Sequence, residues 1–226
     1  MKTLVIAAHP DDEVLGAGAS IARWLDEGLP VHIAILGEGA TSRAENSEPP
    51  NRASVATLQR RAVQASRALG ARPPRMFGLA DNRFDTLPLL EIVQRIESLV
   101  AEFEPELVLT HCGGDLNIDH AITFRAVMTA LRPMESTSVR ELRVFEIPSS
   151  TEWAFAQFEP VFRPNVFVDV AATLQRKLDA MACYDSESRA FPHPRSPESL
   201  AALARTRGSQ VGLHAAEAFE SIWRRT

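Results

Sequence analysis

The chain has 226 residues, of which 45% are hydrophobic and 23% charged, as in ordinary globular proteins rather than disordered or fibrous ones. Its formal net charge of -5 argues against a general nucleic-acid-binding protein, and no apolar run approaches the roughly 20 residues that span a bilayer. The two cysteines cannot form a disulfide framework. Because the N-terminal segment does not resemble a signal peptide, we expect a cytoplasmic protein with reduced thiols.

Strand-like and helix-like segments alternate along the chain. Apolar runs of strand length lie at residues 3–8, 31–36, 75–78, 106–110, 142–147 and 166–170. Helical spacing of apolar residues is found at 14–27, 54–69, 87–103, 171–181 and 197–207. Residues 40–52 are polar and predict a long surface loop. The alternation predicts an α/β fold with a mostly parallel central sheet and helices on both faces, in a single domain spanning residues 1–226.

The loop after the first predicted strand combines an imidazole with carboxylates. His9, Asp11, Asp12 and Glu13 directly follow the apolar run at residues 4–6, and ligands bind at the carboxyl ends of strands in open α/β sheets. His9 and Asp12 can reach one metal ion, while a neighbouring carboxylate remains free to act on water. A helix start is the alternative, since acids favour that position, but it does not account for His9.

A second loop rich in His and Asp follows the strand at residues 106–110. It contains His111, Asp115, Asn117, Asp119 and His120. In a parallel sheet this loop lies at the same edge as the first one. Together they can supply two histidines and a carboxylate, the ligand set of a catalytic zinc site with one open position. Either histidine alone is more typical of a hydrogen-bonded structural residue.

These motifs carry a family resemblance. The segment His9-Pro10-Asp11-Asp12-Glu13, with Asp119-His120 and the helix containing Ala126-Val127, resembles the PIG-L/LmbE-like family of metal-dependent N-deacetylases. The resemblance implies a Rossmann-like three-layer α/β fold. It also implies removal of an N-acetyl or other N-acyl group from an amino sugar, glycoside or related metabolite. Relatives often form homo-oligomers, so this chain is a candidate homo-oligomer, with no nucleic-acid partner and no membrane span.

Carried over to this chain, the family's roles fall on both loops. One Zn²⁺ per chain, replaceable by another divalent transition metal, would be bound by His9, Asp12 and His120. Asp11 would be the general base. Asp119 would be a further catalytic residue, and Glu13 would support the loop by hydrogen bonding.

The position of Asn117 departs from the family pattern, because many relatives have a histidine there. Asparagine cannot act as a general acid near neutral pH, but it can donate a hydrogen bond to a developing oxyanion. We therefore expect Asn117 to be catalytic in that sense. The proton for the leaving amine would come from Asp11 acting twice, or from His111 or His193.

Polar side chains on other loops are candidates for substrate binding. Arginine can hold a hydroxyl, a carboxylate or a phosphate, and Glu152 beside Trp153 suits sugar hydroxyls and an apolar sugar face. Prolines stiffen the loop that carries His193 and Arg195. The alternative for each of these residues is a purely structural role on the surface, in the core or at a helix start. The substrate-binding candidates are Arg43, Asn82, Arg83, His111, Glu152 and Arg195.

Two other functions remain open at this stage. His and Asp loops also build the two-metal sites of phosphoesterases, although the well-placed ligands suffice for one ion only. A non-catalytic sugar-binding protein on the same fold is favoured by Asn117. The first alternative predicts two ions per chain and phosphate release, and the second predicts no turnover with added metal.

Overall fold

The computed structural model describes residues 1–40, 52–135 and 137–226. The strands are β1 (Thr3–Ala7), β2 (Val31–Gly37), β3 (Arg75–Leu79), β4 (Leu107–His111), β5 (Glu141–Phe145), β6 (Val166–Asp169) and β7 (Ala216–Arg224). The helices are α1 (Asp12–Asp26), α2 (Arg52–Ala68), α3 (Leu89–Phe103), α4 (Ile118–Ala130), α5 (Leu174–Ala182) and α6 (Pro197–Ser209). Every predicted strand and helix is present, with ends that differ by a few residues. Residues 41–51 of the predicted loop lie outside the described residues.

The strands form one seven-stranded sheet in the order β3-β2-β1-β4-β5-β7-β6. Neighbours among β1 to β5 are parallel, whereas β7 is antiparallel to both β5 and β6. This confirms the mostly parallel sheet. Strand β7 was not predicted, because its alanines and glutamates have low strand propensity. Long-range pairing with two strands overrides that local preference.

Helices cover both faces of the sheet and produce the expected three layers. Alternate residues of β1 point to opposite sides: Val5 and Ala7 pack in the core below α1, α2 and α5, and Leu4 and Ile6 pack in the core below α3 and α4. In the described ranges, no helix is both long and apolar enough to cross a membrane.

Helix α1, which carries the first motif, is held closely against the sheet. A Cβ added at Gly16 would lie 2.4 Å from the Phe145 ring, so a glycine is needed where α1 crosses β5. Lys177 Nζ donates to Leu15 O at 2.7 Å and lies 2.6 Å from the Glu217 carboxylate. Glu217 in turn accepts hydrogen bonds from two backbone amides of α1. A buried ion pair from α5 and β7 thus fixes this helix in place.

Candidate metal centre

The two motif loops meet at the carboxyl edge of the sheet. Strands β1 and β4 are parallel neighbours, so the loops that follow them lie side by side. Between them is a cavity of about 100 Å³. Its lining is His9, Pro10, Asp11, Asp12, Gly39, Asp81, Asn82, Asn117, His120 and Arg195.

His9, Asp12 and His120 come together at the base of this cavity. One donor atom from each lies within 4.8 Å of the other two, and all three residues are buried. Asp12 Oδ2 is 3.5 Å from His9 Nδ1 and 3.3 Å from His120 Nε2. The loop is closed by a hydrogen bond of 2.8 Å from the His9 amide to the same oxygen of Asp12. These three residues are therefore able to hold a metal ion, with the cavity on the open side.

Each histidine of this group has a carboxylate behind it. His9 Nε2 lies 2.9 Å from Asp119 Oδ2 and 3.1 Å from Asp81 Oδ1. His120 Nδ1 lies 3.1 Å from Asp115 Oδ1. Metal-binding histidines commonly donate their second ring N–H to such a carboxylate, which fixes the tautomer and the ring orientation. The other ring nitrogens, His9 Nδ1 and His120 Nε2, both lie near Asp12 Oδ2, which fits the ligand set of one metal ion.

The electrostatics of the group also suit a cation. Burial opposes protonation of His120, but the charges of Asp12 and Asp115 outweigh it and raise its pKa to about 9. Burial likewise opposes charge on His9, yet hydrogen bonding with carboxylates, Asp119 foremost, raises its pKa well above the usual value. Burial would raise the pKa of Asp12, but His120 and His111 hold it well below the usual range. The surroundings thus favour positive charge between these carboxylates.

Asp11 lies beside the group in an unusual backbone conformation, with φ of 110°. Its amide donates to Glu13 Oε2 at 3.0 Å, and Glu13 Oε1 accepts a hydrogen bond of 2.6 Å from Tyr184. The predicted supporting role of Glu13 is confirmed by these bonds. Burial raises the pKa of Glu13 to about 7 and raises that of Asp11 well above its usual value, with Arg195 opposing the second effect.

Asn117 and Asp119 occupy different positions relative to the cavity. Asn117 lines it and caps α4, because its Oδ1 accepts from the Asp119 amide at 2.9 Å. Asp119 is fully buried and accepts from the amides of Asn82 at 2.7 Å and Phe84 at 3.0 Å. Its carboxylate therefore joins the loop after β3 to His9.

His111 lies beneath the metal-binding group and has no exposed surface. Its Nε2 accepts a hydrogen bond of 2.8 Å from the Ala8 amide. Its ring stacks on that of His120, with the ring centres 4.0 Å apart. Burial and the neighbouring His120 lower its pKa to about 3. His111 is therefore a neutral support below the ligands and not a wall of the cavity, contrary to the expectation that it meets substrate.

The remaining candidates are spread around the edge of the site. Asn82 and Arg195 line the cavity, whereas Arg83 and Glu152 are exposed and do not. His193 packs edge-on against the Trp153 ring at 5.4 Å, also outside the cavity lining. Arg43 lies outside the described residues.

Sequence reasoning missed the supporting role of three residues that shape the centre. Asp115 and Asp81 each approach a ligand histidine, and Tyr184 supports Glu13. Asp115 sits in the same loop as His120, so a search for carboxylates near each ligand could have found it. Tyr184 is the sole tyrosine of the chain, but nothing local links it to residue 13.

A second group of donors, His9, Asp81 and Asp119, also has atoms within 4.8 Å of one another. It uses His9 Nε2, whereas the first group uses Nδ1 of the same ring. Asp119 is further engaged by two backbone amides. We therefore interpret the second group as the support that orients His9.

The fold and the site together define an α/β protein with a candidate metal centre of two histidines and one aspartate. The chain belongs to the GlcNAc-PI de-N-acetylase (PIG-L) family, whose model matches residues 4–131. This confirms the family resemblance of the motifs.

The sequences of several named proteins align with most of the chain. It is 25% identical over 192 residues to a probable N-acetyl-alpha-D-glucosaminyl L-malate deacetylase 2 of Bacillus cereus, covering 83% of this chain and 84% of the relative. It is 27% identical over 192 residues to a 4-oxalmesaconate hydratase of Pseudomonas putida, covering 80% and 72%. The structure of N,N'-diacetylchitobiose deacetylase from Pyrococcus horikoshii matches with a TM-score of 0.77 at 18% identity, covering 98% and 83%. That last match supports the fold.

Proposed function

We propose that the protein is a metal-dependent N-deacetylase that hydrolyses the amide of an N-acetylated amino sugar or glycoside. The observation that carries this proposal is the donor set of His9, Asp12 and His120 at a cavity that is also lined by Asp11 and Asn117. Membership of a family described as de-N-acetylases, together with the Bacillus cereus relative, supports this substrate class.

Zinc is the proposed ion, at one per chain. Two imidazoles and a carboxylate, with one side open, are a ligand set that catalytic zinc sites use. The same nitrogen and oxygen donors also accept iron, cobalt or manganese. When bound, the ion would lower the pKa of a water molecule and polarise the amide carbonyl.

The residues around the ion would divide the proton transfers between them. Asp11 takes a proton from the water that attacks the carbonyl carbon, a role that contributes on the order of 10²- to 10⁴-fold. The side-chain amide of Asn117 donates a hydrogen bond to the carbonyl oxygen as negative charge develops there. Asp11 then returns the proton to the nitrogen as the C–N bond breaks, which releases the amine and acetate. We assign the acid role to Asp11 because neither His111 nor His193 belongs to the described cavity lining.

Substrate contacts are proposed for the polar side chains nearest the ion. Asn82 lines the cavity and can bind a sugar hydroxyl there, whereas Arg195, also in the lining, is engaged by Ser149 and Asp11. Arg83, Glu152 and His193 lie outside that lining and would contact only a substrate that extends beyond it. Trp153, 40% exposed, could then pack on an apolar sugar face.

The test is a screen of N-acetylated amino sugars and their glycosides with zinc-loaded protein. We expect free amine and acetate in equal amounts, and an Asp11→Asn variant that keeps its metal but loses at least about 100-fold in turnover. Absence of amine from the loaded protein across the panel would contradict the proposal and favour a sugar-binding role. Phosphate release from phosphoesters by a protein with two ions would favour the phosphoesterase alternative.

A hydratase is the second candidate, because one relative carries that name. Such an enzyme would add water across a carbon–carbon double bond of an unsaturated carboxylic acid and release no amine. Loss of the substrate's ultraviolet absorbance, measured beside amine release in the same screen, separates the two reactions.

A further inference from the structure

Arg195 connects three loops at the edge of the cavity. It precedes Ser196, the N-cap of α6. Its Nε donates to Ser149 Oγ at 2.8 Å and approaches Pro148 O at 3.3 Å, in the loop after β5. Its Nη1 donates to Asp11 Oδ2 at 2.7 Å. The guanidinium therefore has fixed partners on both sides, and one of them is the proposed base.

Asp11 needs such support because its backbone is strained. A φ of 110° is uncommon for a residue other than glycine, and such a conformation persists only where the surrounding structure holds it. Glu13, itself held by Tyr184, binds the Asp11 amide. Arg195 binds the carboxylate. The Asp11 backbone and side chain are thus held from two directions.

The two oxygens of Asp11 have different surroundings. Oδ2 accepts from Arg195, whereas Oδ1 makes no hydrogen bond to the described part of the chain. Asp11 lines the cavity together with His120 and Asn117. Because Arg195 holds Oδ2, Oδ1 is the oxygen available to accept a proton from a reacting molecule.

A second acid lies beside the guanidinium. Its Nη1 lies 3.8 Å from Glu187 Oε2, and Glu187 is 3% exposed. Glu187 Oε1 accepts from Ser186 Oγ at 2.8 Å, and Ser186 Oγ accepts from Arg61 of α2 at the same distance. These hydrogen bonds connect helix α2 to the carboxylate that faces Arg195 Nη1.

We propose that Arg195 is a positioning residue for Asp11, fixing one carboxylate oxygen so that the other is directed at the reacting water. This inference rests on the proposed function, in which Asp11 is the base. The planar guanidinium binds Ser149 through Nε and Asp11 through Nη1 at once. Lysine has a single ammonium centre and lacks this fork, so it cannot reproduce the arrangement.

A double-mutant cycle separates positioning from substrate binding. We expect Arg195→Met to lower kcat for an N-acetyl amino sugar about 100-fold, as displacements near 1 Å can do, with KM changed less than about twofold. In an Asp11→Asn background the same change should cost no further kcat. An increase in KM of similar size in both backgrounds would assign Arg195 to substrate binding and overturn the inference. So would an unchanged kcat.

Two further variants keep the result interpretable. Arg195→Lys preserves the charge and most of the packing, and it should also lose most of kcat while unfolding at a temperature close to the parent's. Parental kcat in Arg195→Lys would contradict the need for a fork. Arg207→Met removes an ion pair with Glu146, 2.6 Å long, away from the cavity, and should leave kcat unchanged. If Asp11→Asn alone retains full kcat, the proposed base is wrong, whatever Arg195 does.

Discussion

Asp115 lies directly behind His120, with 3.1 Å between Asp115 Oδ1 and His120 Nδ1. The carboxylate is almost fully buried and accepts hydrogen bonds from the hydroxyls of Ser150 and Thr151 and from the Asn117 amide. These bonds fix the carboxylate, and its negative charge faces the imidazole ring. His120 Nε2 is thereby presented to Asp12 and to the cavity.

Asp115→Asn is therefore expected to weaken metal binding about 10- to 100-fold, as loss of such supporting carboxylates commonly does. Competition with a chromogenic chelator would measure the affinity for Zn²⁺. The exposed Asp179→Asn serves as the matched control and should bind as the parent does. Equal affinities in the parent and Asp115→Asn would mean that Asp115 does not orient the ligand.

Asp119→Ala is expected to lower the free energy of unfolding by about 3 kcal/mol. The change removes a fully buried acceptor and leaves the buried Phe84 amide without its partner, and each unsatisfied buried group costs about 1–3 kcal/mol. Urea unfolding of the metal-free protein would measure the loss without a contribution from metal binding. Asp85→Ala, an exposed position in the same loop, should stay within about 0.5 kcal/mol of the parent.

The Lys177–Glu217 pair predicts a large loss when it is broken. Both side chains are buried, and Glu217 also binds two backbone amides of α1. Lys177→Met should cost about 3–5 kcal/mol of unfolding free energy, because it leaves a buried carboxylate without its counter-ion. Arg75→Met breaks a pair of similar length with Glu102 that is about half exposed, and should cost no more than about 1 kcal/mol. Similar losses in both variants would contradict this account of how α1 is held.

The parallel part of the sheet and its helices could be predicted from local sequence patterns, because buried strands and amphipathic helices have distinct periodicities of apolar residues. Strand β7 did not, since residues such as Ala216 and Glu217 gain strand structure only by pairing with β5 and β6. Gly16, next to the first motif, packs against the Phe145 ring, a contact that depends on how α1 crosses β5.

The metal centre, too, could be predicted from the sequence only in part. His9, Asp12 and His120 could be grouped from sequence because loops that follow parallel strands lie at the same edge of the sheet. The structure brings the three residues together. The supporting contacts join residues far apart in the chain, as Tyr184 and Glu13 show. Arg195 was expected to bind substrate, but its partner Asp11 is 184 positions away. Such pairings depend on packing of whole elements and leave no local pattern.

The most direct test of the central claim is the metal content of the protein purified without chelators, measured beside that of His120→Ala. We predict about one zinc or similar divalent ion per chain in the parent and very little in the variant, because removing one of three protein ligands destroys the site. An ion retained in full by His120→Ala, or no ion in the parent even after zinc is supplied, would contradict a metal centre formed by His9, Asp12 and His120.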